Sequence, residues 1–362
     1  MIPRRALLTA LPLLASCNRR PGSGYRGTAF VSTEETPSVV AVDLLAFAVK
    51  SRIDMPAPPS ILAAHPDSRR RRIFALSPAG RSVEEIDSAA RVRVKGHRMP
   101  GAPVAVHAAA RDLWFLTRET PHVASLDGRR IALPAEPVEF DISPASKLAC
   151  VTLEGGALLF ADLEARRAGP MLKLGGELGG IRFRSDGKIV LVADKARRQL
   201  TVVDVAARQV MAELPLALSP DRLCMNSDGG QLFITGEGRD AVAIAYTYRT
   251  EIAQTSLSGR KPGMMAVSAG PDYLFVANPQ AGSVTVFDTA TQRVVAVTGV
   301  GMEPGAMVVT PDQQYTLVLN RASGDMAVIR IAAITPGRNK TAPLFTMIPV
   351  GSKPVDVLVV PA

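Results

Sequence analysis

The chain is poor in the residue types on which many binding and catalytic sites depend. Aromatic residues make up 5% of the 362 positions, with Trp114 the single tryptophan, which argues against a groove that stacks bases or sugar rings. Histidine occurs four times, at His65, His97, His107 and His122. No two form an H-x-x-x-H pair and none lies beside a cysteine cluster, so no metal site is expected and no ligand pair for haem or copper can be named. His65 falls in a Pro-Asp turn and His97 in a basic loop, KGHRMPG. A Gly-x-Ser-x-Gly elbow, a phosphate loop and a zinc signature are all missing, so no residue is assigned a catalytic role. Cysteine occurs at Cys17, Cys150 and Cys224 only. The last two lie in apolar strands of separate units and are expected as buried free thiols.

What the chain does have is apolar mass and positive charge. Hydrophobic residues are 47%, ample for a core, and the formal net charge is +9. The basic residues are scattered rather than gathered on one face, which reads as a solubility charge and does not favour nucleic acid. Arg69 to Arg72 is a basic run at a hairpin tip, read as solvated turn charge and able to meet an anionic partner.

The first 17 residues, MIPRRALLTALPLLASC, are expected to be a targeting segment. Arg4 and Arg5 form a positive start, and residues 6–16 are apolar but too short to span a bilayer. Leu14-Ala15-Ser16-Cys17 resembles the bacterial lipobox, which implies cleavage before Cys17 and diacylglycerol on its sulfur. Residues 18–27 then read as a flexible tether and 28–362 as one domain.

A 42-residue period runs through the second half. Asp194, Asn278 and Asn320 close equivalent strands, 84 and 42 residues apart. QLTVVD (199–204), AVAIAY (241–246), SVTVFD (283–288) and DMAVIR (325–330) keep the register, as do Pro220, Pro262 and Pro304. Alternating strands bounded by Pro-Asp or Asp-Gly turns, four to a unit, predict an all-β propeller of antiparallel blades. Strand-leading motifs start near Pro59, Pro103, Pro137, Leu178, Pro220, Pro262, Pro304 and Pro354. The last motif has no unit after it, and residues 28–55 have no leading strand, so the two fragments complete one another. Eight blades are predicted, closed by pairing of 354–360 with 28–33. Seven is the alternative if the 34-residue unit after Pro103 makes no blade of its own.

The segment LFVANPQAGSVTVFDTATQRVVAVTGVGMEPGAMVVTPD (274–312) resembles the repeat of the YVTN-type β-propeller family. The resemblance is strong over 178–330 and weaker over 28–177. It implies a periplasmic or surface propeller and little chemistry, since lactonases, modified-haem propellers and binding scaffolds share the look.

In a propeller the first strand of each blade lines the central channel. Six positions on those strands break an apolar register: Glu139, Arg222 and Asp356 at one level, His107, Asp141 and Arg182 two residues deeper. Charge there must be paired, wet or facing a ligand, because unpaired buried charge is expensive. These six are the candidate ligand-binding residues. The expected role is a lipid-anchored, extracytoplasmic, non-catalytic binding or assembly module whose rim takes a small polar ligand or a partner's loop. The alternative is a lactonase-like hydrolase drawing on Glu139, Asp141, His107 and Arg222. A redox propeller with a bound cofactor, of unknown identity, is the second alternative.

Overall fold

The computed structural model describes residues 25–145, 147–335 and 343–362. They form eight four-stranded antiparallel sheets, the blades, arranged in a closed ring. The innermost strands of blades 1 to 8 are Pro354–Pro361, Ile61–Ala64, Ala102–Ala109, Pro137–Ile142, Leu178–Phe183, Ser219–Met225, Met265–Val267 and Pro304–Val309. Each neighbours the next around the channel, and the last neighbours the first. Blade 1 is the composite: Gly27–Thr33 pairs with Pro354–Pro361 on one side and Ser38–Asp43 on the other. The short unit after Pro103 makes a complete blade 3, with outer strands of only four and three residues, His122–Ser125 and Arg130–Ala132.

The local chemistry of the repeat explains the shape of each blade. The aspartate that ends the third strand caps the turn after it. Asp43 accepts from the N–H of Leu45 and Ala46, Asp87 from Ala89 and Ala90, and Asp162 from Glu164 and Ala165. Four residues after that strand end, the backbone turns left-handed, at Phe47, Arg91, Arg166, Arg208, Thr250 and Gln292.

Apolar alternation then builds the core. Second strands such as Ile189–Asp194 are buried throughout, whereas outermost strands such as Val92–Arg98 are exposed almost along their length. Eight apolar clusters each lie between two neighbouring blades, so the core is a ring of interfaces around an open channel. His97, expected in a loop, belongs to Val92–Arg98, where its Nε2 lies 2.9 Å from Glu85 Oε2. The strand ends just before Pro100, which has no N–H to continue the ladder; Met99 still donates its N–H to the Arg81 carbonyl.

The strands' directions define two faces. One, the mouth, carries the links between blades and the loops joining second to third strands. The other carries the remaining turns, and there the first described strand begins, with Gly27 opposite Pro361.

Candidate functional site

All six candidate residues lie on innermost strands. His107, Glu139, Asp141, Arg182 and Arg222 fall on blades 3 to 6, and Asp356 stands apart on blade 1. His107 Nδ1 is 3.6 Å from Asp141 Oδ1, and the imidazole meets the Phe140 ring edge-on at 4.8 Å. Burial lowers the His107 pKa; Asp141, Glu139 and a backbone hydrogen bond to Phe140 oppose that shift, and Arg182 adds to it.

Most of these charges are satisfied by backbone rather than by each other. Asp141 Oδ2 accepts from the N–H of Phe183, and Asp356 Oδ2 from that of Leu62, both at 2.8 Å and both across to the next blade. The two carboxylates thereby stitch the free edges of adjacent innermost strands. Glu139 accepts from its neighbour Phe140 N–H at 3.1 Å, and Arg182 donates to the Ile181 carbonyl at 2.6 Å. Burial pushes the Asp356 carboxyl up to about 6, against the bonds from Leu62 and Val357.

Arg222 is different. Its Nε is 3.2 Å from Asp221 Oδ2, and Asp221 Oδ1 takes a 2.6 Å bond from Lys195. Burial works to raise the Asp221 carboxyl, but Lys195 and Arg222 outweigh it and hold it below the usual range. Both residues line a cavity of about 530 Å³ at the channel mouth, spanning blades 6, 7, 8 and 1. Its floor is apolar: Met264, Ala306, Val355 and the strand-leading Pro262, Pro304 and Pro354. Arg222, Lys261 and Arg321 bring positive charge from three consecutive blades, and Asp221, Glu237 and Glu303 bring negative charge.

Of the six sequence candidates, only Arg222 lines this cavity. Lys261, Glu303 and Arg321 were missed because they sit in loops, and Glu237 because it is the last residue of a second strand rather than part of a first one, yet they carry the 42-residue register (261 and 303; 237, 279 and 321). Arg321 pairs with Glu34 at 2.5 Å, while Lys261 makes no ion pair among the described residues. Lys261 and Glu303 also hold left-handed backbone, φ 55° and 57°, directly before proline.

Cys150 is buried and free, as expected, but Cys224 is only half-buried. Its place on an innermost strand explains this: Cys224 packs at the channel edge of the cluster between blades 6 and 7, whereas its neighbour Leu223 lies within the cluster between blades 5 and 6. Burial still pushes its thiol up to about 11, with Arg182 opposing. No cluster of three or more His, Cys, Asp or Glu suited to a metal ion occurs among the described residues. Cys17 and the lipobox lie outside them.

No protein-family model matches the chain, and no characterised protein matches it by sequence. Many solved structures share its fold. Apo AztD from Citrobacter koseri is 14% identical with a TM-score of 0.71, over 93% of this chain and 98% of that one. The dihydro-heme d1 dehydrogenase NirN, in complex with DHE, is 13% identical with a TM-score of 0.72, over 95% and 78%. The periplasmic gluconolactonase PpgL of Pseudomonas aeruginosa is 17% identical with a TM-score of 0.60, over 92% and 99%. At such identities the likeness is one of fold: the chain is an eight-bladed propeller structurally similar to the AztD, NirN and lactonase propellers.

Proposed function

We propose that this protein is a lipid-anchored, extracytoplasmic binding module, and that the cavity at the channel mouth is its working site. One observation carries the reading: a cavity of about 530 Å³ with an apolar floor and cations from three consecutive blades on its wall. Concave, mostly apolar sites with a few convergent polar groups are the usual form of ligand pockets. Lys261 supplies an uncommitted cation and Glu237 and Glu303, which make no ion pair among the described residues, supply acceptors, so the ligand that fits has an apolar body, an anionic group for Lys261 and hydrogen-bond donors for the two carboxylates. It is a small molecule or the loop of a partner protein.

Calorimetric titration with a panel of aliphatic and sugar carboxylates tests this. The Arg222→Ala/Lys261→Ala pair is expected to weaken binding at least tenfold with an unchanged circular dichroism spectrum. Binding that is indifferent to this pair would overturn the reading. Anchoring rests on the Leu14–Cys17 motif. Cys17→Ala should move the protein from the membrane to the soluble fraction or leave the precursor uncleaved. A variant processed and fractionating like the wild type would refute lipidation.

A second reading, lactonase-like hydrolysis, is favoured by the His107–Asp141 approach on adjacent innermost strands. An imidazole with a carboxylate beside it is the pairing from which a general base is built. Turnover of a lactone panel that His107→Ala abolishes would establish it; no turnover by the wild type would dismiss it.

A further inference from the structure

The face opposite the cavity carries a feature the binding reading does not use. The hairpin tip Arg69–Arg72 projects there, with Ser68–Arg70 forming a single 3-10 turn capped by Asp67. On one side Arg71 and Arg91 line a hollow of about 180 Å³ together with Thr28 and the chain end, Val360 to Ala362. On the other side Arg70, Arg72, Arg111 and Arg129 line a second hollow, of about 280 Å³, between blades 2 and 3. A basic strip therefore runs from the point where the N-terminal strand enters the fold to blade 3.

The acids nearby are committed. Glu85 and Asp87 hold Arg72, Glu85 also holds His97, and Asp112 and Asp127 hold Arg129. Asp67 accepts from the Arg69 N–H. Arg69, Arg70, Arg71, Arg91 and Arg111 are exposed and make no ion pair among the described residues. Five uncommitted guanidinium groups on one sector suit a partner rich in anionic oxygen.

The chain's own geometry names that partner. Eight residue steps separate Cys17 from Tyr25, the first described residue, so the covalent reach is at most about 28 Å. Gly27 starts its strand on this same face. An anchored chain would hold the basic strip close to the bilayer and turn the cavity mouth away from it. Clusters of basic residues held against a membrane bind anionic headgroups, with an attraction that fades within a Debye length.

We propose that the arginine strip of blades 2 and 3 docks on anionic phospholipid headgroups, so that the propeller stands on the membrane by this face with its cavity open to the aqueous side. The inference rests on the anchored reading for its geometry, and the arginines supply an independent attraction.

The test uses the full-length protein with an environment-sensitive fluorophore on Ser68→Cys or, on the mouth face, Gln280→Cys. It is mixed with vesicles of phosphatidylcholine alone or with phosphatidylglycerol. The probe at position 68 should shift to the blue only with phosphatidylglycerol, lose the shift in 0.5 M salt (about a 4 Å Debye length), and leave position 280 unchanged. Arg69→Glu/Arg70→Glu/Arg71→Glu should weaken partitioning at least tenfold; Arg91→Glu/Arg111→Glu, which spares the hairpin, should weaken it in the same direction. Equal shifts at both positions, or a shift indifferent to salt and to both variants, would overturn the proposal. Mass spectrometry of the mature chain reads lipidation separately. A chain without lipid that still shows the salt-sensitive shift at position 68 defeats the anchor and supports the face.

Discussion

Asp356 shows what a single side chain does on an innermost strand. Its carboxylate is held by the N–H of Leu62 in the next blade, and burial pushes its pKa up to about 6. The folded value lies above the unfolded one, so the fold binds the proton more tightly than the open chain. This group therefore favours folding below its unfolded pKa near 4, and the advantage is lost as pH rises through about 6. A shift of this size corresponds to roughly 3 kcal/mol across that window. Asp356→Asn keeps a side-chain oxygen for Leu62 and removes the charge. Its melting temperature should exceed the wild type's at pH 8, with the gain vanishing by pH 4. Thermal unfolding at pH 4, 5, 6 and 8 reads the difference; parallel curves for the two proteins would show that Asp356 does not titrate in this range. The neighbours of Asp356 also show why the site was only partly legible. A charge on an apolar register was readable at Glu139, Asp141, Arg182 and Asp356. Its partner was not, because Leu62 and Phe183 contribute backbone N–H groups from another blade, and a side-chain pattern carries no record of those.

At the scale of the element, the repeat has a steric logic that its spacing displays without explaining. Asn278 and Asn320 end equivalent second strands and are fully buried. Asn278 Oδ1 accepts from the Gly259 N–H and the Ser258 hydroxyl, both at 3.0 Å, so the link from the previous blade folds over the amide. Only a residue without a side chain fits there. A Cβ on Gly259 would lie 2.5 Å from Asn278, and one on Gly301 would lie 2.5 Å from Asn320. Asp194 and Gly176 repeat the arrangement, with 2.1 Å to the carboxylate. Gly259 and Gly301 stand 42 residues apart, like Asn278 and Asn320, and the cause of that spacing is a contact between one blade and the next. Gly301→Ala should cost about 1–3 kcal/mol, the usual range for overpacking a closed site. Gly299→Ala, two residues away with nothing within 4 Å of the added carbon, should cost under about 0.5 kcal/mol. Chemical denaturation of both variants makes the comparison. Equal costs would mean that strand propensity, rather than the glycine–asparagine contact, governs this link. The mouth follows the same lesson: Glu237, at the end of its strand, and Arg321, just beyond its own, hold one register position, yet only the closed ring brings them around one cavity.

For the whole molecule, the ring has no central core, and its stability depends on every interface being closed. The fold was legible for the reason that it is repetitive. Eight units of one template admit few arrangements, and an unpartnered strand at each end of the chain demands a composite blade. Pro354–Pro361 is that closure, pairing along Gly27–Thr33 and packing beside the innermost strands of blades 8 and 2. Deleting residues 353–362 would strip Val355, Val357, Leu358, Val359 and Val360 from blade 1. At about 1.5 kcal/mol for each well-buried aliphatic side chain, and less for the half-buried ones, the loss is on the order of 5 kcal/mol. Native domains have only about 5–15 kcal/mol in total. The deletion would also uncover Ala29, Phe30 and Val31, now fully buried, and leave Gly27–Thr33 as an unpaired edge at the channel wall. A ring opened at one blade loses two interfaces, since blade 1 packs against both Tyr315–Asn320 of blade 8 and Arg72–Ser77 of blade 2. The truncated chain should therefore aggregate, or melt at least 10 °C lower, when followed by light scattering and thermal unfolding. A monomeric truncated protein with an unchanged melting temperature would mean that the remaining seven blades hold the ring without the terminal strand.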